Sequence, residues 1–136
     1  MELQNQLLFC ETTNKNGEIH FENYYNTDNL KDAYSYCVEQ ILLLKNSKQF
    51  YIGATYNYEE RFLEHMKNKK MFNMFVLTQA HTNLKSKKLE QKLIKRFGGK
   101  KNNLNKVEYD IDGHILNGGG GEGLIYDKNY IYVLFK

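Results

Sequence analysis

A chain of 136 residues and 16.1 kDa has room for one hydrophobic core but not two, so a single domain over residues 1–136 is expected. With 41% hydrophobic and 14% aromatic residues the composition excludes a disordered polymer, and no apolar run approaches the roughly 20 residues needed to cross a bilayer. The net charge of +3 conceals a segregation: His65 to Val107 holds 12 basic residues and one acid, Glu90, for +11, while the remainder carries −8.

Seventeen lysines, two arginines and 16 asparagines, with no proline or tryptophan, are the usage of an AT-rich coding sequence such as that of a virus or phage. Lysine richness alone therefore says little. Its confinement to one half of the chain says more, because a basic half on a nearly neutral protein is the footprint expected for a phosphate backbone. The plainer explanation is a solvated helix face. The start, MELQNQLLFCETT, has no basic n-region and only a brief apolar patch, which predicts an intracellular protein of cytoplasm or nucleus. Cys10 and Cys37 lie in apolar contexts without C-x-x-C spacing and are expected to be buried free thiols.

In chain order, Leu7–Thr12 and Glu18–Tyr24 flank an Asn16-Gly17 pair and predict an opening hairpin. Leu30, Ala33, Tyr34, Cys37, Ile41 and Leu44 recur at helical spacing behind an Asp28 or Thr27 cap, predicting an amphipathic helix of about 15 residues. Phe50–Ala54 reads as a short buried strand, Asn57–Asn68 as a helix, Phe72–Leu77 as a second strand and Leu84–Phe97 as a third helix stopped by Gly98-Gly99. The tail from Val107 reads as strand pieces around an Asp112-Gly113 turn, a glycine loop and a final hairpin. The fold class expected is α+β: a small central antiparallel sheet flanked by helices, with hairpins added at both ends.

Chemistry-bearing residues gather on two of these helices. On the helix from Asn57, Tyr58, Phe62, Leu63 and Met66 define the apolar face, and Arg61 and His65, four apart, share one flank of it. On the third helix Glu90 falls near the middle of the arc of Leu89, Leu93, Ile94 and Phe97. A carboxylate on a core face needs a cation, a metal or a raised pKa, so Glu90 is either a buried partner of Arg61 or a metal ligand. Helix geometry does not choose between them.

Tyr51-Ile52-Gly53, Arg61 ten residues after the tyrosine, His65, the strand FNMFVL, the helix bearing LEQKLIKRF and then Asn105 together resemble the GIY-YIG nuclease superfamily over roughly residues 49–105. The resemblance implies a divalent-metal-dependent endonuclease, a hydrolase of phosphodiester bonds in DNA. Tyr51 would line the site near the attacking water, Arg61 would hold the scissile phosphate, and His65 would assist proton transfer or contact the phosphate. Glu90 would bind one Mg²⁺ or Mn²⁺, and Asn105 would brace the site. These residues are expected to converge on one cleft. A hard cation held by one carboxylate stays mostly hydrated and suits stabilisation of phosphate charge and of the leaving oxygen.

No GIY precedes YIG here. Tyr36 is the nearest candidate, but it projects opposite the stripe Leu30–Cys37–Ile41, toward solvent. Tyr132 in the terminal YIYVLFK is the other; if that strand pairs beside Tyr51, the first motif has moved to the chain end. Lys85, Lys88, Lys92 and Lys95 are the expected contacts to the DNA backbone, duplex or branched. The loop Asn117–Gly123, NGGGGEG, lacks the ending of a P-loop, so no nucleotide cofactor is expected. The alternative function is a non-catalytic nucleic-acid-binding module that keeps the nuclease fold.

Overall fold

The computed structural model describes residues 10–12, 17–27, 29–44, 49–80, 83–99, 102–105, 112 and 129–136. The Asp112-Gly113 turn, the Asn117–Gly123 loop and the Asp28 cap lie wholly or partly outside them. In chain order the elements are β1 (Cys10–Thr12), β2 (Glu18–His20), α1 (Leu30–Leu44), β3 (Phe50–Thr55), α2 (Tyr58–Lys69), β4 (Asn73–Ala80), α3 (Asn83–Phe97) and β5 (Asn129–Phe135).

The strands form one sheet in the order β1-β2-β4-β5-β3. The α+β class with a small sheet flanked by helices is as the sequence implies, and the opening β1–β2 pair is antiparallel. The sheet is nevertheless mixed, because β2 and β4 run parallel, joined by the long excursion through α1, β3 and α2. Of the two readings of β5, a final hairpin or a strand pairing beside Tyr51, the second is what forms. The strand lies between β3 and β4, antiparallel to both. Its residues Ile131, Val133 and Phe135 face one layer and Tyr132 and Leu134 the other, so both sides of the strand are buried. A continuous apolar run covered on both faces belongs at a sheet's centre.

Helices α1 and α3 cover one face. Ala33, Cys37 and Ile41 of α1 and Leu89, Leu93, Ile94 and Phe97 of α3 pack on Phe50, Ile52, Ala54 and Leu77. Each fully buried leucine, isoleucine or phenylalanine among them contributes about 1.5–3 kcal/mol. Helix α2 covers the other face through Phe62 and Met66, against Met74, Val76, Tyr132 and Leu134. Leu63, expected on that apolar face, is 42% exposed; the buried residues of α2 are Phe62, His65 and Met66.

Local chemistry sets the helix starts. The Asn29 carboxamide accepts from Asp32 N at 3.0 Å, so Asn29 is the cap of α1, and Thr27 Oγ1 instead accepts from Asn29 N. Asn57 caps α2 by accepting from Glu60 N at 3.1 Å. The Cys37 thiol is buried and free, and burial pushes its pKa up. None of the described helices is long and apolar enough to cross a membrane.

Candidate functional site

β3 pairs with β5 in the register Tyr51↔Leu134 and Gly53↔Tyr132, which places Tyr51, Gly53 and Tyr132 on the α2 face of the sheet. The glycine is a steric requirement. A Cβ at residue 53 would lie 2.3 Å from both Cζ and the hydroxyl of Tyr132, so only glycine lets that ring lie flat across β3. Tyr132 is 1% exposed, and its hydroxyl meets His65 Nε2 at 2.8 Å. The Tyr51 ring lies 5.0 Å from the imidazole, centroid to centroid.

Arg61 stands one turn before His65 on α2. Its Nε pairs with the exposed Glu64 at 3.0 Å, and its positive charge offsets part of the rise in the Tyr132 phenol's pKa. One turn after His65, Lys69 holds its ammonium 4.9 Å from the centre of the Tyr51 ring. Sequence reasoning missed Lys69, although Arg61, His65 and Lys69 at i, i+4 and i+8 necessarily share a helix face.

These surroundings fix the protonation states. Burial pulls the His65 pKa down to about 4, helped by the charges of Lys69 and Arg61. Burial raises the Tyr51 phenol, with Glu90 adding to the rise and Arg61 opposing it. Tyr132 is raised well above the ordinary tyrosine value, first by burial and then by Tyr51. At neutral pH the site is a neutral imidazole hydrogen-bonded to a protonated phenol and flanked by two cations.

Glu90 is 5% exposed, on the buried stripe of α3. That helix lies in the layer opposite α2, so Glu90 is carried by a different layer from Arg61 and His65. Glu90 approaches from the far layer, close enough for its charge to raise both phenols. Its flank of α3 turns away from α1, since the α1 contacts come from Lys85 and Leu89, which share a small hollow with Leu30 and Ala33, and from Lys92, whose ammonium is 5.8 Å from the centre of the Tyr34 ring. Among the described residues no three His, Cys, Asp or Glu side chains gather as a metal cage. A single carboxylate leaves a hard cation such as Mg²⁺ or Mn²⁺ largely hydrated.

Asn105 is committed to the backbone. Its carboxamide accepts from Ile52 N at 2.8 Å and donates to Ile52 O at 2.8 Å, while Phe50 bonds Asn102 and Leu104. The segment from Asn102 thus completes the outer edge of β3, between Tyr51 and Gly53. Tyr36 is not in the site, nor in solvent. Its hydroxyl donates to the Asn23 carbonyl, its ring packs on Tyr25, and burial lifts its pKa to about 12. Lys85, Lys88, Lys92 and Lys95 are exposed; at 3.6 residues per turn Lys88, Lys92 and Lys95 point away from Glu90.

Comparison of the chain with protein-family models, curated proteins and solved structures finds no match.

Proposed function

We propose that the chain is a divalent-metal-dependent endonuclease acting on DNA, a GIY-YIG-type hydrolase whose first motif strand is supplied from the C-terminal end by β5. The observation that carries the reading is the Tyr132 hydroxyl on His65 Nε2 at 2.8 Å, lying over the glycine of Tyr51-Ile52-Gly53 with Arg61 in reach. In this reading Arg61 exchanges its exposed partner Glu64 for the scissile phosphate and stabilises the charge that develops there. Tyr132 takes a proton from the attacking water as its own passes to the neutral His65. A phosphate at Arg61 also offsets the cationic field that lowers the imidazole pKa, making His65 a better acceptor when substrate is bound. Glu90 would hold the metal, which when bound supplies charge stabilisation on the phosphate and leaving oxygens.

The entry of Glu90 from the opposite layer favours the second reading, a nucleic-acid-binding module that keeps the fold without cleaving. Incubation with a panel of branched and linear DNAs in Mn²⁺ or in EDTA separates the two. Cleavage in Mn²⁺ alone, lowered at least 100-fold by Tyr132→Phe or Arg61→Ala, supports the enzyme. Binding without cleavage of any substrate by the unmodified protein supports the module.

A further inference from the structure

We propose that Lys69 is the second cation of a phosphate subsite: with Arg61 it brackets Tyr51 and His65, and a phosphodiester group of the nucleic-acid backbone binds between ammonium and guanidinium. The proposal rests on the nuclease reading for the identity of the anion, but its geometry stands on α2 alone. Residues 61, 65 and 69 are successive turns of one helix face. The Lys69 ammonium is drawn in over the Tyr51 ring, at 4.9 Å, rather than extended into water. The ring is a weak partner for it, worth about 0.5–1 kcal/mol at a partly exposed site.

Two cations directed at one neutral imidazole repel each other and the proton that His65 would otherwise carry. Both charges act on that ring. Among the described residues, the carboxylate on this stripe is Glu64, an exposed i+3 partner of Arg61. Such surface pairs contribute about 0.2–1 kcal/mol, so an incoming phosphate displaces Glu64 easily. Lys69 lies in no ion pair with a described carboxylate, and its side chain is only half-buried, so an anion reaches it from solvent. An anion between the two cations removes the repulsion that the free protein tolerates.

The alternative use of Lys69 is to cover the Tyr51 ring with its alkyl stem, and Lys69→Met keeps the stem while removing the charge. Lys67→Met, on the exposed outer side of the same helix, is the control. The probes are inorganic phosphate and a short duplex DNA in EDTA, read by NMR titration of the His65 imidazole and by affinity across a salt series. In the unmodified protein phosphate should raise the His65 pKa. In Lys69→Met that response should shrink, duplex affinity should fall at least threefold, and the slope of log affinity against log salt should lessen by about 0.9. Lys67→Met should leave the imidazole unchanged. A Lys69→Met protein with unaltered affinity, slope and imidazole response overturns the subsite, as does an unmodified protein that binds neither probe. Duplex binding sensitive to Lys69 but never followed by cleavage in Mn²⁺ would end the nuclease reading and uphold the subsite. Cleavage indifferent to Lys69 would do the reverse.

Discussion

His65 shows how a helix position becomes a chemical group only through what packs on it. From sequence it is a histidine four residues after an arginine. Folded, it is 6% exposed, hydrogen-bonded to Tyr132 and held neutral, with a pKa of about 4 against an ordinary 6.5. The folded state therefore refuses a proton that the unfolded chain accepts below pH 6.5. Stability must fall as pH drops from 6.5 toward 4, the whole contribution being lost below 4. Melting curves of the unmodified protein and of His65→Gln should converge across that window while carboxylate effects common to both cancel. Parallel curves would show that His65 keeps its ordinary pKa. Arg61, His65 and Glu90 were legible as residues to watch because polar groups on apolar helix faces stand out against the 3.6-residue period. Lys69 was not, because one lysine among 17 stands out only once the Tyr51 ring beneath it is placed.

At the scale of elements, the helices and β3 were legible almost to their ends, since each carries its own hydrophobic period, whereas β4 runs three residues beyond the expected Leu77. Strand order was legible only in part. Pairing of the terminal strand beside Tyr51 was one of two readings, but nothing local in Tyr130 to Phe135 places β4 on its other side; the signal was its unbroken apolar run, which a hairpin open to water on one face would not need. Nor does a sequence reveal that Asn105 would serve as a surrogate strand. Its carboxamide presents one donor and one acceptor to Ile52 with the spacing of a peptide group, and this holds the edge strand that carries Tyr51 and Gly53. Asn105→Ala should strand the Ile52 N–H and C=O, at about 1–3 kcal/mol for each group left without a partner. A melting temperature lower by several degrees is expected, and the duplex affinity of the folded protein should be retained. Asn105→Asp, which keeps the acceptor but sets a carboxylate against the Ile52 carbonyl, should be no better. Unchanged melting in both variants would show that the edge is held by the Phe50 contacts alone.

At the scale of the whole molecule, two basic surfaces lie on opposite sides of one sheet, and a buried carboxylate comes between them. Of the described residues in the +11 segment, Lys69 lies over Tyr51 on α2, and Lys85, Lys88, Lys92 and Lys95 are exposed on α3. Replacing Lys85, Lys88, Lys92 and Lys95 together by Gln should weaken duplex binding and flatten its salt dependence by about 0.9 for each phosphate no longer neutralised, with the cleavage rate of saturated DNA little altered. Unchanged affinity would mean that the outer face of α3 serves solubility only. Glu90 joins the layers, since it sits on α3 and raises the phenols that face α2. Glu90→Gln keeps its volume and removes its charge. If Glu90 holds the metal, the variant should melt near the unmodified protein, bind DNA as well or better, and fail to cleave in Mn²⁺. Its tyrosinate absorbance should also appear at lower pH, because the negative charge that opposes ionisation of Tyr51 and Tyr132 has gone. If Glu90 instead neutralises a buried cation, its loss strands that charge at a cost on the order of 3 kcal/mol, and melting falls by several degrees. Marked destabilisation with undiminished cleavage would end the metal-ligand assignment, whereas a folded, DNA-binding, inactive protein with lowered phenol pKa values would establish the carboxylate as the link between the two layers.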